Sequence, residues 1–292
     1  MAAALGIPVG DILDLSQSLN PVAPDPRPVI ARHLDSVRRY PDPRGATDAL
    51  AAAMRVDPDR LLLTNGGAEA IALVASLLDG SVREPEFSLH PRGRGPLWRS
   101  NPNNPLGLLA PEDETATVWD EAFYPLATGR WTRGDARSVV VGSLTKLLAC
   151  PGLRVGYVLA EPAIIAACRA RQPRWSVNAL ACAVLPELLE AIDLIRVSSD
   201  VATLRSRLGD TLVRHGLTPR PSDANWLLVD RPGLREALIG QGVVVRDCAN
   251  FGLDGVSRIA VPDEQGIARL DHALARLESE PTWQSHRDGV TG

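Results

Sequence analysis

The chain has 292 residues, 45% of them hydrophobic, and carries 31 Lys and Arg against 35 Asp and Glu, for a net charge of −4. This hydrophobic content can fill a sizeable core, which argues against disorder, and the length suits one large domain plus a smaller one. The mild charge balance argues against nucleic-acid and anionic-membrane partners and leaves a small molecule as the expected ligand.

The cysteines and the apolar runs exclude further classes of protein. The four cysteines are widely and irregularly spaced, which fits neither a disulfide framework nor a C-x-x-C metal site; they are Cys150, Cys168, Cys182 and Cys248. The N-terminus has no basic segment followed by an apolar one, and no apolar run approaches the roughly 18 residues that span a bilayer. We therefore expect a soluble cytoplasmic protein with reduced thiols and no metal site.

The first half of the chain alternates between short apolar runs and helix-forming segments. After a proline-rich opening at 21–28, the Ala- and Leu-rich segment 47–54 predicts a helix. The apolar run 61–64 ends in Asn65-Gly66-Gly67, and helix formers follow at 68–78. A short apolar run, a glycine turn and a helical segment are typical of a strand that leads into a helix.

Three further apolar runs repeat this alternation. They lie at 117–119 before Asp120, at 138–141 before Gly142, and at 155–159. Continuous apolar runs linked by helices indicate buried parallel strands. The sequence therefore predicts an α/β fold whose large domain holds a mostly parallel sheet.

The last third of the chain has a different pattern of charged and apolar residues. A long charged amphipathic helix is predicted from about Glu187, short strands at 225–229 and 242–245, and a final helix at 264–277. This pattern predicts a smaller α+β domain. We accordingly divide the chain into an N-terminal arm that contributes to the small domain (1–45), a large domain (46–185), the small domain (186–280) and a polar, frayed tail (281–292).

The segment Gly142-Ser143-Leu144-Thr145-Lys146 follows three valines. Lys146 is thus placed at the carboxyl end of a strand, where open α/β folds bind ligands. A lysine whose charged form is disfavoured there can attack an aldehyde. Arg154, eight positions later (154 minus 146), and the hydroxyls of Ser143 and Thr145 suit a phosphate dianion. A solvated or helix-capping lysine is the alternative.

Two weaker signals accompany this lysine. The glycines at Gly66-Gly67 free backbone N–H groups where a helix begins, which suits an anion, although a plain turn is the commoner meaning. Asp120 closes an apolar strand, and a buried carboxylate there needs a cationic or N–H partner such as a protonated pyridine nitrogen. The alternative is an Asp that caps the next helix.

With these residues in this order, the chain resembles the class I/II aminotransferases of the fold-type-I pyridoxal-phosphate enzymes, in the branch of threonine-phosphate decarboxylase and histidinol-phosphate aminotransferase. The likeness covers nearly the whole chain. Its motifs are Ser18-Leu19-Asn20-Pro21, Arg39-Tyr40-Pro41-Asp42, 64–69, Asn101-Pro102-Asn103-Asn104-Pro105, 120–123, 143–146, Gly152-Leu153-Arg154-Val155-Gly156 and Arg246-Asp247-Cys248.

The resemblance implies pyridoxal 5'-phosphate as cofactor and a role for each matching residue. Lys146 would carry the cofactor as a Schiff base, Asp120 would hold the ring nitrogen's proton, and Asn104 would bond the phenolic oxygen. The phosphate would be bound by Gly67, Ala68, Ser143, Thr145 and Arg154, with Tyr40 reaching it from the second subunit of a homodimer. Residues expected on the substrate side are Asn20, Asn178, Arg246 and Arg258, with Arg258 on the substrate carboxylate. A surface position for Arg258 and a loop-bonding amide for Asn178 are the alternatives.

Three departures from the family pattern stand out. His90 occupies the position of the aromatic residue that stacks on the cofactor ring, and Phe123 replaces a tyrosine that bonds the phenolic oxygen. The stretch around 90–118 is shorter than in relatives, which have sheet strands and a helix after the stacking residue.

The resemblance therefore implies an enzyme of the cobalamin-pathway type that acts on a phospho-amino acid, with decarboxylation of threonine phosphate as the first reading. Arg246 or Arg174 would then bind the substrate phosphate. Histidinol-phosphate transamination is the near alternative. A non-catalytic relative that keeps the fold for binding is the alternative of another class.

Overall fold

Two separate sheets, each covered by helices, organise the chain. The computed structural model of the protein describes residues 8–134 and 137–279, so the polar tail at 281–292 lies outside the described residues. Within these ranges no helix is both long and apolar enough to cross a membrane.

The strands are β1 (Leu13–Leu15), β2 (Leu61–Thr64), β3 (Trp98–Ser100), β4 (Val118–Asp120), β5 (Val139–Ser143), β6 (Gly156–Leu159), β7 (Trp226–Asp230), β8 (Val243–Asp247) and β9 (Val256–Ala260). The α-helices are α1 (Arg27–Arg32), α2 (Arg44–Met54), α3 (Gly66–Leu78), α4 (Tyr124–Thr128), α5 (Leu144–Leu147), α6 (Pro162–Arg171), α7 (Ala179–Glu190), α8 (Leu194–Arg214), α9 (Leu234–Gly240) and α10 (Glu264–Glu278).

The larger sheet has five strands in the order β2-β6-β5-β4-β3. Neighbours β3, β4 and β5 are parallel, whereas β6 is antiparallel to both β5 and β2. Strands β2, β3, β4 and β5 thus share one direction. We expected the run at 155–159 to be parallel to them, and that prediction was wrong, because β6 runs the opposite way. The chain between β5 and β6 holds only α5 and a 3₁₀ turn at Pro151–Leu153, and Ser143 pairs with Gly156. The chain therefore re-enters the sheet at the end where β5 finishes, without the long crossover that a parallel neighbour needs.

Both faces of the larger sheet are buried under helices. Successive side chains of a strand point to opposite faces, so each strand contributes to both cores. Leu61 and Leu63 of β2 pack in a core with α2 and α7. Leu62 packs on the other face, with α3 and α6. This two-sided burial explains why the strands are continuous apolar runs, and it leaves only the strand ends for polar side chains.

The smaller sheet has the order β1-β8-β9-β7 and receives β1 from the N-terminal arm. Strand β9 is antiparallel to both β7 and β8, and Leu13 of β1 pairs in parallel with Val243 of β8. Helices α8, α9 and α10 contribute leucines to the core on this sheet. The arm thus ties the start of the chain to its last third.

Residue 186, where we expect the small domain to begin, lies within a helix. That position falls inside α7, whose Leu188 and Leu189 still pack in a core of the larger sheet. The long helix predicted from Glu187 is in fact two helices, since the carboxylate of Asp193 accepts a hydrogen bond from the Arg196 N–H at 3.1 Å and starts α8. Leu194 and Val197, at the start of α8, still pack with Leu126 and Leu147 in a core to which both sheet units contribute.

The connection from α3 to β3 is short and irregular. Residues 79–97, all of them described, contain a single isolated bridge, between Ser81 and Leu97. The Arg92 guanidinium donates to the backbone oxygens of Glu86, Phe87, Ser88 and His90 and to the Glu84 carboxylate. One arginine thus binds four backbone oxygens of a loop that contains no helix or strand of its own.

Candidate active site

A cavity of about 330 Å³ lies at the carboxyl ends of β3, β4 and β5 and is closed on its other side by the smaller sheet. Strands that point the same way end at one edge of a sheet, so side chains distant in sequence meet there. The predicted site residues that line the cavity are Gly67, Ala68, Asn104, Asp120, Ser143, Thr145, Lys146, Arg154, Arg246 and Arg258.

Lys146 lies in the one-turn helix α5 directly after β5, and it is the only lysine among the 292 residues. Burial lowers the pKa of its ammonium, the positive charges of Arg258 and Arg154 lower it further, and Asp120 acts in the opposite sense. Its Nζ lies 5.9 Å from the centroid of the Phe123 ring. The cavity thus favours the neutral amine, which is the nucleophilic form.

An anion cradle forms where α3 begins. Gly66 has a φ of +76°, and a side chain there would collide with the Arg154 guanidinium. A Cβ on Gly67 would lie 3.2 Å from the Cβ of Ser143, whose Oγ lies 2.8 Å from Thr145 Oγ1. A helix N-terminus, an arginine and two hydroxyls in one place suit a phosphate dianion.

Asp120 ends β4 as a buried carboxylate with partners on both oxygens. Oδ1 accepts the Ala122 N–H at 3.0 Å, and Oδ2 lies 3.0 Å from His90 Nε2. We expected His90 to stack on a cofactor ring, but its side chain is fully buried behind Asp120 and the cavity wall is formed by Phe87 and Leu89 of the same loop. The imidazole lies there because a buried carboxylate without a partner is costly.

Arg258, on β9, is buried against the far side of the cavity. Its Nη1 donates to Asn104 Oδ1 at 2.7 Å, and its guanidinium carbon lies 5.1 Å from the centroid of the Trp226 ring. Its Nε has no hydrogen-bond partner among the described residues. Burial lowers the pKa of Arg258 to about 10, so the side chain remains a cation at neutral pH. Arg246, on β8, lines the same cavity but is exposed, so two cations lie at different depths.

Besides His90, four predicted residues lie outside the cavity lining. Asn20 donates to the Leu147 oxygen at 2.9 Å and accepts from the Val22 N–H, so its amide is used in fastening the N-terminal arm. Asn178 caps α7 and donates to the Leu153 oxygen at 2.8 Å, which is the loop-bonding alternative. Each amide makes one donated and one accepted bond to backbone groups, and neither side chain lines this cavity.

The other two predicted residues are on the surface. Tyr40 is 79% exposed and stacks on Trp175 with ring centroids 4.6 Å apart. Arg174, beside Trp175, is exposed as well and does not line the cavity with Lys146. Within this chain, Arg246 is therefore the second arginine of the substrate side.

Sequence reasoning missed several residues that line the cavity: Ser16, Phe87, Leu89, Ser100, Ala122 and Phe251. Phe87 and Leu89 were within reach, because they lie three positions and one position before His90. Ser16 had no local signal, since only the pairing of β1 with β8 brings it to the cavity.

The arrangement has a definite chemical capacity. An amine whose pKa is lowered faces a carboxylate, an anion cradle lies at one end, and two arginines lie at the other. A primary amine of this kind can condense with an aldehyde, and the arginines can bind carboxylate or phosphate groups.

Comparison with known proteins gives a family and relatives. The family model "Aminotransferase class I and II" matches residues 93–277, which is more than half of the chain. Histidinol-phosphate aminotransferase 1 of Dechloromonas aromatica is 26% identical, with 94% of this chain and 92% of that protein covered. Threonine-phosphate decarboxylase of Salmonella typhimurium is 29% identical, with coverages of 94% and 95%. The first alignment runs over 339 positions, more than the 292 residues here, so this relative carries residues without a counterpart in this chain.

A solved structure is similar over nearly the whole chain. Histidinol-phosphate aminotransferase of Sinorhizobium meliloti, solved in complex with pyridoxal-5'-phosphate, superposes with a TM-score of 0.80 at 18% identity. The match covers 94% of this chain and 92% of that one. At this identity the match shows a shared fold.

Proposed function

The chain belongs to the class I and II aminotransferases, and on this premise we propose that it is a pyridoxal-phosphate enzyme that decarboxylates O-phospho-L-threonine. The observation that carries the proposal is one cavity that holds Lys146, Asp120 and the buried Arg258 together. The family is one of enzymes, and these three side chains are the ones its chemistry needs, so a non-catalytic binding protein is the weaker reading.

The residues present fit the cofactor. The Arg258 Nε without a partner and the glycines that a Cβ would push into Arg154 and Ser143 are features that a bound anionic molecule explains. Lys146 would bind the cofactor aldehyde, Asp120 would keep a proton on the ring nitrogen, and the cradle at Gly67 would hold the phosphate. Bound pyridoxal phosphate supplies an electron sink for negative charge that develops on the substrate α-carbon.

The two arginines favour a substrate that carries two anionic groups. Arg258 is oriented by Asn104 and Trp226 and has N–H groups left for a carboxylate. Arg246, at the mouth, would take the phosphate. O-phospho-L-threonine has both groups, and the cobalamin-pathway assignment depends on this choice of substrate.

Histidinol-phosphate transamination is the second candidate, and the name of the relative from Dechloromonas aromatica favours it. Histidinol phosphate has no carboxylate. In that case Arg258 would bind the carboxylate of the amino-group partner, such as glutamate, and Arg246 would again bind phosphate.

A homodimer is part of the proposal. Tyr40 is exposed and does not line the cavity of its own chain. This position suits a residue whose hydroxyl completes the phosphate cradle of a second copy. Each site would then contain groups from two chains, related by a two-fold axis.

The test begins with purified protein and pyridoxal phosphate. We expect visible absorbance that borohydride bleaches, with the reduced adduct on the peptide that contains Lys146, since no other lysine is present in the sequence. The protein is then given O-phospho-L-threonine alone, or histidinol phosphate with 2-oxoglutarate. Carbon dioxide and aminopropanol phosphate from the first support the proposal; glutamate from the second, with no carbon dioxide from the first, supports the alternative.

A further inference from the structure

Glu86 is a buried carboxylate directly behind the cavity, and the reaction as proposed does not use it. It is 1% exposed, and it does not line the cavity. Its oxygens accept hydrogen bonds from the Phe87 and Ser100 N–H groups, at 2.8 and 3.0 Å, from the Ser100 hydroxyl and from the Asn103 amide. Burial raises the pKa of Glu86, while the Ser100 hydroxyl, His90 and the Phe87 and Ser100 N–H groups act in the opposite sense.

A neighbouring cation balances this carboxylate. Arg99 Nη1 lies 3.5 Å from Glu86 Oε2, and the Arg99 Nε donates to Glu114 at 2.9 Å. Two carboxylates thus share one arginine, and Glu86 is the one that contacts His90 and Ser100. With an arginine and four donors around it, a buried charge at Glu86 is well compensated.

One chain of contacts runs from Glu86 to the ring-nitrogen side of the cavity. His90 Nδ1 lies 3.8 Å from Glu86 Oε1, and His90 Nε2 lies 3.0 Å from Asp120 Oδ2. The imidazole lies between the two carboxylates, and its Nδ1 has no hydrogen-bond partner among the described residues. The rings of Phe87 and Trp98 pack against it, each with its centroid 5.5 Å away. The carboxylate at position 86 thus lies beside the imidazole that contacts Asp120 directly.

A second chain of contacts runs from Glu86 to the substrate side. Ser100 Oγ donates to Glu86 and accepts the Asn104 N–H at 2.7 Å. Asn104 Oδ1 in turn accepts from Arg258. The position of Asn104, and thus of the arginine it orients, depends on the same carboxylate.

We propose that Glu86 is a positioning residue that couples the two sides of the active site, setting Asp120 through His90 and Arg258 through Ser100 and Asn104. The inference deepens the proposed function and rests on it. A carboxylate accepts from all four donors at once, whereas a glutamine amide has one acceptor oxygen and an NH₂ group that must face a donor. Glu86→Gln therefore preserves size and disturbs both contact chains.

Four variants separate the coupling from a merely structural role. Glu86→Gln is expected to weaken pyridoxal-phosphate affinity and, in the loaded enzyme, O-phospho-L-threonine affinity, each about tenfold. His90→Gln should weaken mainly the first and Ser100→Ala mainly the second. Glu114→Gln is the matched control, because it removes the other carboxylate on Arg99 without touching either chain, and both affinities should stay within about twofold. Affinities are read from cofactor absorbance.

Two results would overturn the coupling: Glu86→Gln changing only one affinity, or Glu114→Gln changing both equally. Amide hydrogen exchange on the cofactor-free protein gives a readout that does not need the proposed function. Glu86→Gln should speed exchange at the Asn104 N–H and at the Ala122 N–H, which donates to Asp120, while Glu114→Gln should not. Wild-type protein without cofactor absorbance would defeat the proposed function alone, and unchanged exchange would defeat the role of Glu86.

Discussion

The guanidinium of Arg258 donates to the side-chain oxygen of Asn104 at 2.7 Å, although the two residues are 154 positions apart and belong to different sheet units. This hydrogen bond joins the edge of the larger sheet to β9 of the smaller one. It also orients the guanidinium, since one N–H edge is used and the other is left for a ligand.

Arg258→Lys is expected to weaken binding of O-phospho-L-threonine by at least about tenfold, because an ammonium cannot contact Asn104 and a carboxylate in the same planar geometry. Pyridoxal-phosphate affinity should change little. Both are measured by absorbance titration of the cofactor. Arg196→Lys, at a side chain that is 80% exposed, is the control. Equal loss of both affinities would contradict the assigned role.

Lys146→Met is expected to stabilise the cofactor-free protein at neutral pH, because it removes a buried charge that faces Arg258 and Arg154. A gain of about 1 kcal/mol would raise Tm by about 2 °C in a chain of this length. The lowered pKa of Lys146 sets the pH dependence: below it the folded wild type contains the charged, destabilising form. As pH rises from that lowered value towards the ordinary 10.5, Lys146 loses its proton in the folded protein before it does so in the unfolded chain. The folded wild type therefore regains stability over this range.

The difference in Tm between Lys146→Met and wild type should therefore shrink as pH rises through that window. Differential scanning fluorimetry between neutral pH and pH 10.5 measures it. Lys146→Arg keeps the charge and should show no gain at any pH. A difference that stays constant with pH would show that Lys146 is not desolvated.

Gly66→Ala is expected to weaken pyridoxal-phosphate binding about tenfold or more and to destabilise the fold by more than about 1 kcal/mol, since φ is +76° and the new methyl group displaces Arg154. Gly45→Ala is the matched control, because Gly45 lies in α2 with open space around its Cβ. That substitution should be neutral or stabilising. Titration and thermal melts of the two proteins make the comparison, and similar results for both would rule out a cradle at Gly66.

Arg92→Lys is expected to loosen the loop at 84–92, because a single ammonium cannot reach the four backbone oxygens that this guanidinium contacts. Faster amide exchange across the loop and weaker cofactor binding should follow, since Phe87 and Leu89 wall the cavity. Arg94→Lys, at an exposed arginine two positions on, is the control. Unchanged exchange in Arg92→Lys would mean that the loop is held by its other contacts.

Tyr40→Phe is expected to weaken pyridoxal-phosphate binding about fivefold while the dimer persists, because it removes one hydroxyl and keeps the ring that stacks on Trp175. If each site uses groups from two chains, added cofactor must also favour the dimer over the monomer. Analytical ultracentrifugation with and without cofactor measures this linkage. A wild-type monomer that binds the cofactor normally would refute the composite site.

The sequence by itself determined most of the large sheet and the centre of the site. The run at 61–64 is β2 to the residue, and the three valines before Gly142 form β5 and set Lys146 at its end. These predictions succeed because a strand buried on both faces must be continuously apolar, and because ligand chemistry gathers where such strands end. The smaller sheet was predicted less completely: β9, which carries Arg258, was not predicted as a strand.

Only the tertiary structure decided which side chains face the cavity. His90 and Phe87 lie three residues apart in one irregular loop, and the burial of Asp120, distant in sequence, determines that the imidazole turns inward while the phenyl ring lines the wall. Asn20 has the same chemistry as Asn104, yet its amide is occupied by the backbone oxygen of Leu147. The direction of β6 likewise follows from where its connection runs. The local sequence pattern indicates which side chains are buried and whether their spacing is that of a helix or a strand. Which polar groups pair with each other depends on contacts between segments that lie far apart in the sequence.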